Sequence, residues 1–399
     1  MGVIFDPTGN RKSKFFANWG RFFEKVPSDI SVRSFSFESS DRGMLYKDPG
    51  PGAAPDLSTA NYIPGGHITQ SGGPDAATLV AGGTGAQYQD EVVGGYEHEF
   101  GHGFTFSGRF VYRHMRRIIE DVSGENVTQN LAGIPQQYVV SNPSSKLDIF
   151  KNADPCTPGT AGCTDAGFTD IGSNPLGADG KLDGFANPVR IYKSMELTVS
   201  KRMSANFQLY GSYLLSKLYG NFEGSYRNDN TQSDPNISSL FDFTNTDGLL
   251  GFQSVPGVLP NDRRHQLKLF TNYQWKNFNF GLSWSVRSGI PLTPLAAHPD
   301  YDNAGEIPTT PRGSLGRTPW TFPVDLHGDY TLKLGENKRL KFVADLFNVG
   351  NQTRLIQIDT WTQLDLATPN PDYLKPGTNL IAYPYQNPFA ARLAVRFEF

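Results

Sequence analysis

The last eleven residues constrain the fold most: Phe389-Ala390-Ala391-Arg392-Leu393-Ala394-Val395-Arg396-Phe397-Glu398-Phe399. Odd positions read Phe, Ala, Leu, Val, Phe, Phe, and even positions read Ala, Arg, Ala, Arg, Glu. Side chains on a strand point alternately to opposite faces, so this segment has one apolar face and one mostly charged face. A soluble sheet buries the apolar face on a core. A membrane barrel shows it to lipid and turns Arg392 and Arg396 to a wet lumen.

The same alternation recurs in pairs. Lys14–Phe23 follows the turn Asp6-Pro7-Thr8-Gly9-Asn10. Tyr88–Phe100 and Phe104–Arg116 flank Gly101-His102-Gly103. Arg190–Lys201 leads through a turn near Arg202–Ser204 to Phe207, Leu209, Tyr213 and Leu215. Leu267–Trp275 and Phe278–Val286 flank Lys276-Asn277, and Trp320–Leu334 joins Leu340–Leu346 through Gly335-Glu336-Asn337. The spacing predicts about ten strands of roughly 10–15 residues, longer than the usual mode of about 5–6.

Connections alternate in kind. Between the short turns run long Gly-, Pro-, Asn- and Asp-rich loops at roughly 25–86, 119–186, 220–262, 290–319 and 350–387. Compact soluble domains rarely carry even one loop of that length. Short turns at one rim and long loops at the other are the layout of an outer-membrane barrel. No apolar run approaches the ~18 residues of a spanning helix, so a membrane protein of this composition spans with strands. Trp19, Tyr112, Trp275, Trp320 and Tyr385 fall near strand ends, where interfacial girdles sit. The layout puts the C-terminus on the periplasmic side and makes Val3–Phe5 the end of a strand that starts upstream. The fold class is therefore all-β, a transmembrane antiparallel barrel. The alternative is a soluble all-β binding or adhesin-like protein, with the Phe278/Phe280/Leu282/Trp284 face buried on a second sheet.

Polar residues on the inward parity are the functional candidates. Arg109, Arg113, Asp325, Asp329, Lys333, Arg392 and Arg396 lie opposite the apolar face. They line water or meet a plug or solute; the plainer reading is that they solvate an inner wall. His98-Glu99-Phe100-Gly101-His102 matches the zinc-protease pattern H-E-x-x-H, which needs a helix to bring both histidines to one face. Here it straddles a strand end and a turn, so turn residues are the favoured reading. Paired carboxylates such as Glu97 and Glu99 fall on a strand with no inferable pocket. No catalytic residue and no cofactor is expected.

Asp165, Asp170, Asp179 and Asp183 lie in the second long loop without EF-hand spacing; an ordinary polar loop is favoured over calcium. Cys156 and Cys163 are compatible with a local disulfide in an oxidising compartment, the favoured reading, or with two free thiols. Three N-x-S/T matches, at Asn126, Asn236 and Asn351, carry no weight. A formal net charge of −3 gives no basic field for nucleic acid. Met1-Gly2-Val3-Ile4-Phe5-Asp6-Pro7 does not read as a secretory signal peptide, so the protein stays in the cytoplasm or the chain begins downstream of its true start.

A family resemblance runs along the whole chain. Its residues are Gly2–Gly9 followed by Ala17–Glu24; Tyr88–Glu97; Tyr112-Arg113 with Ile119-Glu120-Asp121; Gly211-Ser212-Tyr213 with Ser216-Lys217; and Gly220-Asn221-Phe222-Glu223-Gly224. Further on come Asp234-Pro235-Asn236, Pro260-Asn261-Asp262-Arg263-Arg264-His265, Ser288-Gly289-Ile290-Pro291, Asp345-Leu346-Phe347-Asn348-Val349, and the terminal Arg396-Phe397-Glu398-Phe399. In order and spacing they resemble the C-terminal half of the barrel of TonB-dependent outer-membrane transporters of the Oar-like group. The resemblance implies a barrel of roughly 22 strands with a plugged lumen. This chain would supply residues 1–399 as its C-terminal portion, with plug and first strands absent. It also implies uptake of an unidentified solute, TonB engaged only through the absent N-terminal region, outer-membrane lipid around the barrel, and recognition of Leu393, Val395, Phe397 and Phe399 by the barrel-insertion machinery.

Overall fold

In the computed structural model the described residues are 1–25, 41–46, 62–69, 78–80, 83–123, 138–144, 154–155, 168–169, 185–232, 238–241, 252, 255–298, 303–335, 337–377, 381 and 383–399. Their long strands pair in chain order. They are β1 (Gly2–Phe5), β2 (Ser13–Phe23), β3 (Tyr88–Glu99), β4 (Phe104–Arg116), β5 (Arg190–Ser204) and β6 (Phe207–Gly220). Then come β7 (His265–Trp275), β8 (Phe278–Arg287), β9 (Val324–Lys333), β10 (Arg339–Phe347) and β11 (Ala390–Glu398). Each hydrogen-bonds antiparallel to the next, and a two-residue strand, Gly257–Val258, adds to the end of β6. Short turns join alternate pairs, so all of them lie at one rim. Parts of the long loops fold into small sheets of their own, such as Asp41–Tyr46 with Tyr62–Thr69.

Register aligns the apolar parities across the whole sheet. Phe106, Val199, Gly211, Leu269, Trp284 and Val324 form one continuous cross-strand row. Tyr273, Phe280, Gly328, Ala344 and Leu393 form another. A one-residue slip in any strand would turn its apolar set to the other face, so the shared pattern holds every pair in place.

This apolar face is uncovered. Trp19 is 47% exposed, Met195 50%, Phe280 46% and Leu393 78%. The buried apolar cluster sits instead among the long loops: Ile118, Val122, Phe185, Phe222, Leu240 and Phe241, against Met115. A soluble sandwich requires the reverse, because an exposed apolar surface of this extent has to be covered by something other than water. Among the described residues Phe278 and Trp284 meet no second sheet and remain 38% and 36% exposed, against what the soluble alternative expects.

Two boundaries differ from the sequence reading. β5 runs on through Arg202–Ser204, and the turn is Ala205-Asn206, both at positive φ (47° and 62°). Two consecutive positive-φ residues match the right-handed twist of a hairpin. The register shift between Lys201 and Ser204 supplies the extra residues. The strand expected from Trp320 starts only at Val324, because Pro323 has no N–H for the ladder.

Lys201 explains how the β5–β6 hairpin closes. It lies on the apolar parity but at the short-turn rim, 8% exposed. Its ammonium donates to Ser204 O and Oγ (both 2.8 Å) and to Phe207 O (2.9 Å). Lys201→Met keeps the stem and removes the donor from two part-buried carbonyls. The expected result is a loss of about 1–3 kcal/mol, read from urea unfolding in detergent, with no change in the far-UV spectrum of the folded state. The turn at Asp6 is built the same way. Its carboxylate accepts N–H bonds from Thr8 and Gly9 (3.0 Å each) and Arg11 (2.7 Å), and these bonds, Thr8 first, hold the acid below the usual carboxylate range.

Candidate functional site

The face opposite the apolar band carries ladders of charge. All seven inward-parity candidates fall on it, and cross-strand register supplies their partners. Arg109 pairs with Glu196 across β4 and β5 (2.5 Å), and Arg113 pairs with Glu91 across β4 and β3 (2.5 Å). Lys14 meets Glu97 at 2.9 Å, which gives that carboxylate a partner on the same face. Asp325 accepts the backbone N–H of Asn348 (2.8 Å) at the end of β10. Arg396 pairs along its own strand with Glu398 (3.1 Å), and Lys333 is exposed in register with Arg339.

The densest group spans β8 to β11. Asp329, with its side chain 3% exposed, accepts from Asn279 (3.0 Å), His327 Nε2 (2.9 Å) and Lys341 (3.2 Å). Asp345 accepts from His327 Nδ1 (2.6 Å) and Arg392 (2.7 and 2.9 Å). Four of these residues, Asn279, His327, Lys341 and Asp345, were not among the inward-parity candidates. Their parity was legible, but the pairing is not: it depends on which strands become neighbours. The exposed pairs are each worth under about 1 kcal/mol, so the ladders make the face wettable more than they stabilise it.

A second polar centre lies in the loops at the opposite rim from the short turns. Arg227, 1% exposed by its side chain, donates to Asp229 (3.3 Å), Glu306 Oε2 (3.1 Å), Glu306 O (2.9 Å) and Ser239 Oγ (3.3 Å), with Glu223 at 4.0 Å. Arg312 donates to Glu223 Oε1 at 2.7 Å. Two guanidiniums therefore face three carboxylates. Burial, then the neighbouring Asp229, pushes the Glu223 carboxyl up to about 8. Burial also acts against the Asp229 carboxylate, but Arg227 and a hydrogen bond from Glu223 carry it below the ordinary range. One proton shared by the two acids, resident on Glu223, leaves this buried group electrically neutral. Nearby, Asp262 holds the loop before β7: it accepts from Leu218 N–H (2.6 Å) and Arg317. Asn221 ties the end of β6 to Val189 (2.6 Å) and Asn187 (3.1 Å). The segments containing Glu223 and Asp262 were singled out by resemblance; their roles are visible only in the packed loops.

The H-E-x-x-H match does not assemble. His98 bonds Ser13 Oγ (2.7 Å) and packs edge-on against Phe100 (4.5 Å) on the apolar face. Glu99 is on the opposite parity, paired with Arg202 at 3.4 Å, and His102 occupies the turn at φ 62°. Cys156, Cys163, Asp165, Asp170, Asp179 and Asp183 lie outside the described residues. Among the described residues, no group of three or more His, Cys, Asp or Glu side chains is placed to hold a metal.

One similarity accounts for the whole arrangement. The chain is 27% identical over 393 aligned residues to the TonB-dependent transporter Oar of Myxococcus xanthus, covering 92% of this chain and 32% of that protein. The similarity is to a TonB-dependent transporter. The chain spans about a third of the length of that curated relative. No protein-family model matches it. Over its full length the fold is similar to the outer-membrane transporter YddB from Escherichia coli, with TM-score 0.51, 10% identity and 40% of that chain covered. These relatives are transporters, not enzymes, in agreement with the dispersed His98, Glu99 and His102. The neighbour's antiparallel barrel fold fits a sheet with one uncovered apolar face and one charged face.

Proposed function

We propose that the chain is the C-terminal portion of the barrel of a TonB-energised outer-membrane transporter, a wall and loop layer of a solute pathway. The observation that carries this is the single ordered sheet with an uncovered apolar face, a charged opposite face, and all short turns at one rim. The plug, the strands that complete a barrel of roughly 22, and the contact with TonB belong to the rest of such a protein. Water-facing ladders around Arg109, Arg113, Asp325, Asp329, Lys333, Arg392 and Arg396 line the passage. The long loops, locked by the Arg227 network, face outside and meet the solute. The short turns and Phe399 face the periplasm, and Leu393, Val395, Phe397 and Phe399 present the strand read during membrane insertion.

Orientation and location are tested together. A short epitope is inserted at Pro371-Asp372 in a long loop or at Lys276-Asn277 in a short turn. In intact cells antibody should reach the first only; after permeabilisation it should reach both. Surface exposure of the 276–277 epitope reverses the orientation, and recovery of the protein in the soluble fraction overturns the membrane reading.

A further inference from the structure

Two lysines oppose each other on the face that the sheet leaves uncovered. Lys193 on β5 and Lys217 on β6 are direct cross-strand partners, each three residues from the long-loop end of its strand, and both are exposed. Like charges placed directly opposite on a sheet are destabilising. Among the described residues neither lysine has an ion pair. Each ammonium leans instead over a ring, Lys193 at 5.7 Å from the Tyr112 centroid and Lys217 at 5.0 Å from that of Tyr219. Asp90, on the same face of β3 near this rim, is occupied by both arms of Arg21 (2.7 and 3.0 Å). Arg116, paired in register with Tyr88, and His114, opposite Ile191, add to the basic side of the balance. Immediately below the lysines the surface is apolar: Met195 beside Leu215, then Leu197 beside Tyr213, then Val199 beside Gly211.

We propose that Lys193 and Lys217 together hold the phosphate of an anionic lipid headgroup in the leaflet at the long-loop rim, an inference that rests on the membrane-barrel reading above. Charge complementarity supplies half of the argument, since an anion between two registered ammonium groups turns their repulsion into attraction. Continuity supplies the other half. The apolar rows begin one step below the charges, so acyl chains hanging from the same headgroup lie along Met195, Leu197 and Val199. A free phosphate would use only the first. Contact with the Tyr112 and Tyr219 rings keeps both ammonium groups at the boundary, as amphipathic side chains do at a membrane interface.

The test uses the purified full chain in dodecyl maltoside with micelles containing diphosphoryl lipid A, phosphatidylglycerol or phosphatidylcholine, and separately with inorganic phosphate. Retained lipid is read by native mass spectrometry. Both anionic lipids should be held in preference to phosphatidylcholine. The double variant Lys193→Gln/Lys217→Gln should weaken that retention about 30-fold, and each single variant about fivefold. Lys375→Gln, which removes the same charge from a loop lysine beside Asp372 (3.7 Å), should leave it unchanged. Unaltered far-UV spectra and gel mobility show that the variants are folded. Undiminished anionic preference in the double variant overturns the proposal, and so does displacement of the lipid by millimolar inorganic phosphate, which makes the site one for free anions. Failure of the parent chain to insert into phosphatidylcholine vesicles is a different result: it overturns the barrel reading itself.

Discussion

Replacing Arg227 with alanine is expected to cost about 3–5 kcal/mol and to open the loop layer while the sheet persists. The physical reason is the company it leaves behind. Asp229 and Glu306 lose the guanidinium that bridges them, Ser239 loses a donor, and the remaining cation, Arg312, is already engaged by Glu223. A buried carboxylate without a partner is far more costly than the pair was valuable. The phenotype should be local. Chymotrypsin should cut the variant near Phe222 and Phe241, which the packed loops bury in the parent chain (1% exposed each), while the β-sheet signal in the far ultraviolet is retained. Arg227→Lys keeps the charge but not the fork and should fall between the two. Unchanged proteolysis of the alanine variant would refute a latch at Arg227.

The second large effect is a dependence on pH centred on Glu223, faced by Arg227, Arg312, Asp229, Glu306 and the guanidinium of Arg190, which donates to the Glu223 carbonyl. Its carboxyl is raised from 4.5 to about 8 by burial and by Asp229. Below 4.5 the proton is bound in both folded and unfolded chains, and the full contribution is present. Between 4.5 and about 8 only the folded protein keeps it, so the loop layer loses stability as pH rises through this window. Asp229 has the opposite sign: its depressed value contributes above 3.8 and is lost as pH falls below it. The pair together is most favourable near pH 4, and protection of the loops should decline towards pH 8. Glu223→Gln should flatten that decline, because the amide keeps an acceptor for Arg312 and a permanent donor for Asp229. The check is chymotrypsin half-life at pH 5 and pH 8. A parent chain whose protection does not fall over this range, or a variant whose protection falls as steeply, removes Glu223 as the source.

The balance between the two polar centres suits the proposed role. Ladders such as Arg109–Glu196 are exposed and individually weak, so a passing solute or a plug can exchange with them at small cost. The Arg227 network is buried and holds the geometry of the long loops, which in the proposed role meet the outside. Flexible recognition on a stiff support is what a solute pathway at a membrane surface requires.

Much of this was legible in the chain. Alternation of period two placed the long strands, because side-chain direction on a strand is a local property of the backbone. The parity of Arg109, Asp329 or Arg392 followed from the same rule. The exceptions were also local but subtler: Pro323 cannot donate to a ladder, and the hairpin after β5 waits for two residues that accept positive φ at Ala205-Asn206. Partnership was not legible. Nothing near Asp345 in sequence names His327 and Arg392, which approach it from β9 and β11. The loop network was hidden more deeply still, since Arg227 and Glu306 are separated by 79 residues and carry no periodic signal.

The terminal strand shows where the division lies. The eleven residues from Phe389 to Phe399 already specify an amphipathic strand with arginines on one face, because alternation needs no neighbours. Which solvent meets the apolar face depends on whether another layer covers it. That is a question about the whole sheet, and only the assembled register, with Leu393, Val395 and Phe397 left uncovered beside Ala344, Phe342 and Leu340, answers it.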